Sequence, residues 1–502
     1  MPLMGSEYLA AFRARRDRIA ELRAELARRS PLGRYWSDPV GFVRDCVRWR
    51  PGESLADYQL EVLQNVVTYG RECVRGPRGL GKTCDAALLI HWFALTREAS
   101  GGDWKIVTTA GAWRQLRDFL WPEVHKWADL LDWQRIGRVP YVEGVELLDL
   151  AIKLSHGAAS AVRSDKPQKT EGAHADQLLF IFDESKSIEP ATFDAAEGSM
   201  STGECYALAI STPGEPAGRF YEIQSRKAGY EDWHVTRVSQ AQAIAAGRLS
   251  PEWCAKRARQ WGAGSALYLN QVEGEFASSS EDSVIPLAWV EAAVERWYAW
   301  RDSGDEIPFT CVGVDVARGG ADKTVLALRC GVVISELRES GSADTMETTG
   351  KVWGILRARG GYAVVDVIGI GAGVVDRLRE QTPAVVPFHA GEATDQRDFS
   401  GELGFVNKRS AVWWAMREYL DPANRSRIAL PPDDMLIGDL AAPKWRTNSR
   451  GLIQVESKDD IRKRLGRSTD HGDAVIQAFY TPPPPPRVQR IIYEMPGGIS
   501  PV

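Results

Sequence analysis

The sequence predicts an α/β protein in two parts, a doubly wound parallel sheet with a glycine-rich loop and then a second α/β half edged with carboxylates. Three features predict this: the octapeptide Gly76-Pro77-Arg78-Gly79-Leu80-Gly81-Lys82-Thr83, the apolar run from Leu178 to Phe182 that closes on Asp183-Glu184, and a later series of strand-like runs that each end in an aspartate. Strand and helix patterns alternate over residues 70–213, as parallel sheets require. At 502 residues the chain exceeds one hydrophobic core.

The loop stands where a strand hands over to a helix. Arg71-Glu72-Cys73-Val74 supplies the strand, and the apolar run Asp85 to Phe93 the buried helix. Its glycines permit a turn that aims backbone N–H groups at phosphate oxygens, Lys82 reaches the β- and γ-phosphates, and the Thr83 hydroxyl ligates Mg²⁺. Together Gly76, Pro77, Arg78, Gly79, Leu80, Gly81, Lys82 and Thr83 form the expected nucleotide cradle. Leu178 to Asp183 is too short for a helix and reads as a central strand. At its carboxyl end Asp183 is expected to hold the Mg²⁺ shell and Glu184 to polarise the attacking water. Trp104 to Ala110 is a further strand, followed by a helix from Trp113 to Trp127. Tyr206 to Ile210 is another, ending in Ser211-Thr212-Pro213, where the hydroxyls of Ser211 and Thr212 can sense a γ-phosphate. Upstream, Tyr58-Gln59 places an amide at Gln59 that can read adenine or simply solvate a helix.

Composition narrows the class. The chain is 44% hydrophobic and 26% charged, as in ordinary globular proteins, and no apolar run reaches the ~18 residues of a membrane span. The net charge of −5 means that any nucleic-acid partner meets local basic patches. Seven cysteines, odd in number and without a C-x-x-C pair, are expected to be reduced core residues of a cytosolic protein. The charged N-terminus lacks the apolar core of a secretion signal.

Along the chain, residues 1–50 are read as an N-terminal segment with an arginine-rich amphipathic helix over 7–29, 51–213 as the phosphate-loop core, and 214–280 as a mostly helical lid. A linker follows at 281–307, opened by the small and acidic residues 278–283. Residues 308–481 form the second α/β half and 482–502 a proline-rich tail. In the second half Thr310 to Ala317 carries Asp315, pairs with Val325 to Leu328, and has Asp322 in the connection. Tyr362 to Asp366 is a buried strand ending in acid, and Asp470-His471-Gly472-Asp473 opens a helix. Two divalent cations ~3.5–4 Å apart need such a carboxylate cluster, so Asp315, Asp366 and Asp473 are the expected ligands, with Asp322 and Asp470 as auxiliaries. That order of strand acids and acidic helix start suits a ribonuclease-H-like fold. Lys408, Arg409, Lys444, Arg446, Lys458, Arg462, Lys463, Arg464 and Arg467 are candidates to hold DNA phosphates or to solvate a charged face.

Taken in order, these motifs resemble the large terminase subunit of tailed bacteriophages, the motor and nuclease that packages viral DNA. The resemblance rests on Gly76 to Thr83, Gly172-Ala173-His174-Ala175, Asp183-Glu184, Ser211-Thr212-Pro213, Asp315 with Asp322-Lys323-Thr324, Asp366, and Asp470-His471-Gly472-Asp473-Ala474, within residues 50–480. It implies an ASCE-type ATPase joined to a ribonuclease-H-like nuclease that cuts concatemeric DNA. Arg78 would then act on the nucleotide phosphates, and Ser211-Thr212-Pro213 would couple hydrolysis to movement. The family's Asn-Lys-Arg segment and a lysine before the last acids are matched by Asn407-Lys408-Arg409 and Lys458. The implied cofactors are ATP, Mg²⁺ at the ATPase site, and two Mg²⁺ or Mn²⁺ at the nuclease site. The implied partners are double-stranded DNA, the portal protein, the small terminase subunit and further copies in a ring, with no membrane. One copy would supply an arginine in trans, for which Arg114, Arg117 and Arg163 are candidates. The expected location is the host cytoplasm, transiently on the procapsid. Two rival readings are a helicase or translocase with an inactive nuclease-like domain, and a capsid-assembly factor that only binds nucleotide, against which Glu184 argues.

Overall fold

The computed structural model describes residues 30–164, 174–201, 203–278, 282–317, 323–342, 344–367 and 369–481. The helix expected over 7–29, Gly172-Ala173, Asp322 and the tail 482–502 lie outside the described residues. The chain divides into two compact units. The first runs to Glu295 and takes in Asp433–Lys444 and Ser457–Arg467; the second holds Arg296–Pro432, Trp445–Glu456 and the chain from Ser468.

The first unit is built on eight strands: β1 (Arg71–Arg75), β2 (Trp104–Ala110), β3 (Leu147–Leu148), β4 (Ala151–Lys153), β5 (Gly157–Ala161), β6 (Gln177–Asp183), β7 (Glu204–Ser211) and β8 (His234–Arg237). Their order is β3-β4-β5-β2-β6-β7-β1-β8. The pairings from β5 through β8 are parallel, and β3 and β4 extend the sheet as an antiparallel edge. Strand β7 thus separates β1, which leads into the phosphate loop, from β6, which ends in Asp183. An additional strand at that place is the defining feature of an ASCE-type sheet. His234–Arg237, in the stretch expected to be mostly helical, adds the strand beyond β1.

Side chains on a strand alternate between faces, and β6 serves two cores accordingly. Leu179 and Ile181 pack into one with the helix Lys82–Glu98, while Leu178, Phe180 and Phe182 pack into the other with Phe193, Phe220 and Ile223. The helix Lys82–Glu98 is buried without a break from Asp85 to Arg97, so its position behind the loop is fixed by packing on every side. Within the segment expected as a linker, Leu287–Ser303 is helical, with Leu287, Val290, Ala293 and Val294 buried.

The second unit has a mixed sheet of β9 (Phe309–Asp315), β10 (Thr324–Cys330), β11 (Val333–Ser340), β12 (Tyr362–Asp366) and β13 (Val385–Phe388), in the order β11-β10-β9-β12-β13. Strand β10 is antiparallel to both neighbours, whereas β9, β12 and β13 run parallel, the arrangement of a ribonuclease-H-like fold. Val312, Val314, Ala363 and Val365 point into one core. Alternation sends Gly313, Asp315 and Asp366 to the opposite face, where the helix Asp470–Ala478 lies. Gly313 makes that packing possible, because a Cβ there would overlap the Ala474 carbonyl oxygen and stand 3.0 Å from Ala478 Cα. These are backbone atoms that cannot swing aside. Gly313→Ala is therefore expected to destabilise the second unit by about 3 kcal/mol, the upper range for overpacking, as read from denaturant unfolding.

Candidate nucleotide and nuclease sites

The phosphate loop is shaped by backbone that only glycine accepts comfortably. Gly79 and Gly81 hold φ of 84° and 80°, and Gly81 directly precedes the first turn of the helix Lys82–Glu98. At Gly76 a Cβ would come within 2.6 Å of Leu80 Cδ1 and 2.9 Å of the Val238 carbonyl oxygen. The result is a cradle of N–H groups at a helix N-terminus, which favours anions. Lys82 Nζ donates to the Pro77 carbonyl at 2.8 Å. Burial pulls its ammonium down to about 8, against the charges of Glu184, Asp183 and Asp85.

Across β7, Asp183 is buried and accepts from Gln115 Nε2 at 3.0 Å. Burial and the neighbouring Glu184 carboxylate push its pKa up to about 7. Glu184 turns into the left-handed region at φ 46°, an uncommon conformation for a side-chain-bearing residue. Its N–H donates to Asp183 Oδ1 at 3.0 Å, and its Oε2 accepts from Ser211 Oγ at 3.0 Å. The same Ser211 hydroxyl lies 2.7 Å from the Thr212 carbonyl, so its single hydrogen is shared between the candidate base and the chain leaving β7. Thr212 is buried beside it.

The amide of Gln59 is buried and held inside the protein. Its Nε2 donates to Asp85 Oδ1 at 2.6 Å, and its Oε1 accepts from Ala56 N at 3.1 Å and Arg248 Nη2 at 2.9 Å. Tyr58 OH donates to the Leu80 carbonyl at 2.7 Å. This pair therefore braces the loop from beneath. Arg78 is exposed, and its Nη1 lies 3.7 Å from Asp434 Oδ1. Arg114 pairs with Glu295 at 3.4 Å, Arg117 with Asp118 at 2.6 Å, and Arg163 lies over the Trp113 ring.

In the second unit β9 and β12 pair in register up to Val314 and Val365, so Asp315 and Asp366 follow side by side at the carboxyl edge of neighbouring parallel strands. Asp473 is buried on the helix Asp470–Ala478, and donors meet both of its oxygens. Arg409 Nη1 lies 2.5 Å and Trp413 Nε1 3.3 Å from Oδ1, and Thr469 Oγ1 donates to Oδ2 at 2.9 Å. Asp470 accepts from Lys323 N at 3.2 Å and from Ser468 Oγ. Among the described residues no three His, Cys, Asp or Glu side chains are gathered as a metal-holding group. The basic candidates separate by unit. Lys408, Arg409 and Arg446 belong to the second, and Lys444, Lys458, Arg462, Lys463, Arg464 and Arg467 to the first.

No protein-family model matches the chain. Over 345 residues, 63% of this chain and 67% of the other, it is 24% identical to the probable terminase, large subunit, of Enterobacteria phage P7. The chain is a relative of the phage large terminase subunits. Among solved structures, the nuclease domain of the large terminase subunit gp2 of bacterial virus Sf6 is 20% identical, with a TM-score of 0.35 over 40% of this chain and 100% of that one. The large terminase of a thermophilic bacteriophage, in complex with ADP, is 12% identical, with a TM-score of 0.39 over 85% of this chain and 100% of that one. No helix among the described residues is long and apolar enough to cross a membrane.

Three residues of this terminase relative belong to the site although no motif announces them: Gln115 on Asp183, Lys186 near Glu184, and Asp85 beneath the loop. Lys186 Nζ pairs with Glu291 at 3.2 Å; burial alone would lower its pKa, but the Glu291 and Glu184 carboxylates outweigh it and raise it. Burial pushes the Asp85 carboxyl up to about 8, against the Gln59 hydrogen bond and the Arg248 and Lys82 charges. In the unfolded chain the same group ionises at about 3.9. The folded state thus keeps an extra proton between those values, and its stability falls as pH rises through that window. Asp85→Asn keeps the acceptor for Gln59 and is expected to flatten this slope, which thermal midpoints measured across the window will show.

Proposed function

We propose that this terminase relative is a viral DNA-packaging motor subunit that hydrolyses ATP to translocate double-stranded DNA and cuts concatemers through its second unit. The observation that carries the reading is the meeting of Lys82, Asp183, Glu184 and Ser211 at the carboxyl edge of one parallel sheet, through contacts and charge. Nucleotide phosphates fit the cradle that glycine alone leaves open at Gly76, Gly79 and Gly81. Thr83 and Asp183 form an oxygen donor set suited to Mg²⁺, which when bound would neutralise charge on the β- and γ-phosphates.

In this mechanism Glu184 takes a proton from the attacking water while Lys82 and the loop N–H groups hold the phosphates. Ser211 holds Glu184 in place and passes any shift of it to Thr212 and the chain beyond, the route by which hydrolysis would move a DNA-gripping surface. Arg78 is the loop's own mobile cation for the phosphates. Double-stranded DNA, a portal, a small subunit and a ring of copies on the procapsid in the host cytoplasm complete the reading.

For cutting, Asp315 and Asp366 with Asp473, and with Asp470 and Asp322 in support, are proposed to hold two Mg²⁺ or Mn²⁺. These acids are hard oxygen donors and fit such cations in kind. When bound, the ions would activate water and stabilise the leaving 3′ oxygen. Asp473 is already engaged by Arg409, and this ion pair favours a second reading in which the ribonuclease-H-like domain is inactive and the protein is a translocase alone. The wild-type chain tested for DNA-stimulated ATP hydrolysis and for plasmid nicking with Mg²⁺ or Mn²⁺ separates them. Both activities are expected; hydrolysis without nicking selects the second reading, and no hydrolysis overturns both.

A further inference from the structure

We infer that Asp434 is a positioning residue for the ATPase reaction, holding Arg78 of the phosphate loop in competition with the nucleotide. The inference rests on Gly76–Thr83 being a triphosphate site. Asp434 lies far along the chain, yet the helix Asp434–Ala441 that it opens belongs to the first unit.

The two ends of this contact differ in freedom. Arg78 is pinned only through its backbone, whose N–H donates to the Gln271 carbonyl at 2.9 Å. Its side chain is 65% exposed and reaches Asp434 Oδ1 at 3.7 Å. Asp434 is braced on several sides. Its Oδ2 meets Arg257 Nη2 at 3.1 Å, and its carbonyl accepts from Trp261 Nε1 at 3.1 Å. Arg257 in turn lies over the rings of Trp253 and Trp261, at 5.4 and 4.8 Å. Asp433 caps the helix by accepting from Leu436 N at 2.7 Å, and Arg467 ties Asp439. At Gly438 even a Cβ would stand 2.8 Å from Trp261 Cδ1, so the helix is seated as closely as it can be.

A fixed carboxylate and a mobile guanidinium make a parking place. The hold on Arg78 is a single contact at 3.7 Å, so a triphosphate that takes the guanidinium in a paired, charge-assisted grip draws it off Asp434. The pair is solvent-exposed and therefore weak, which lets the more highly charged nucleotide win. Arg78 then leaves Asp434 to Arg257 alone, and the helix at 434–441 senses an occupied loop.

The test is a thermodynamic cycle. With Asp434→Asn the Kd for a fluorescent ATP analogue with Mg²⁺, and the KM for ATP, are expected to fall about threefold, the scale of an exposed ion pair, with kcat unchanged. In an Arg78→Ala background the same substitution is expected to change neither. Asp434→Glu keeps the charge and should restore the wild-type KM. Asp434→Ala, which puts a strong helix former in the first turn, carries the same expectation as Asp434→Asn if the latter folds poorly. Equal Kd for wild type and both charge-removing variants, or a shift that persists without Arg78, overturns the inference while leaving the triphosphate site intact. If the wild type itself binds the analogue no better than Lys82→Ala, the site reading has failed and the inference with it.

Discussion

Glu184→Gln is expected to lower the ATP turnover number by about two to four orders of magnitude while leaving ATP affinity within a few-fold of wild type. The substitution keeps the size of the side chain and an acceptor for Ser211 Oγ, which donates to Glu184 Oε2 at 3.0 Å. It removes only the ability to take a proton from water. The phosphate cradle, built from Gly76, Gly79, Gly81 and Lys82, does not involve this carboxylate in any backbone contact, so binding survives. Removing the Glu184 charge also leaves Asp183 with one repulsive neighbour fewer, which favours its ionised, cation-binding form. A KM that holds while kcat collapses is therefore the signature of a lost base and not of a disordered site. Turnover by the glutamine variant within a few-fold of wild type would remove Glu184 from the mechanism.

The nucleotide half was largely legible because its signals are local. The strand read over Trp104 to Ala110 and the one ending at Asp366 coincide with β2 and β12. The run before Asp183 starts one residue earlier, at Gln177. Central strands buried on both faces advertise themselves as continuous apolar runs. What was not legible depends on contacts between residues distant in sequence. The short edge strands β3 and β4 span two and three residues, too few for alternation to register. Strand order is set by crossovers, so the placing of β7 between β1 and β6 could be seen only in the fold. Gln59 looked free to read a base because nothing in its neighbourhood announces that Asp85 and Arg248 occupy its amide. In the same way, the basic residues from Lys444 and from Lys458 to Arg467 sit among the acids of the second half in sequence, yet cluster with the first unit.

Asp366→Ala is expected to abolish metal-dependent plasmid nicking, a loss of roughly 10³-fold or more, with ATP hydrolysis unchanged. Asp366 follows directly on Val365, which is packed in the second unit's core, so the backbone that carries it is held independently of its side chain. Its partner in register, Asp315, is buried on the same face of the sheet, and a cation there would need both carboxylates to offset its charge. Asp366→Ala takes away one of this strand-end pair. Thermal unfolding of the variant and the wild type, measured on the same preparations, separates a lost ligand from a lost fold. The measurement is conversion of supercoiled plasmid to nicked and linear forms with Mg²⁺ or Mn²⁺, alongside ATP turnover on the same preparation. Equal cutting by both proteins would detach Asp366 from the chemistry. Absence of cutting in both, with ATP hydrolysis kept, would select the reading in which the second unit is an inactive nuclease-like domain.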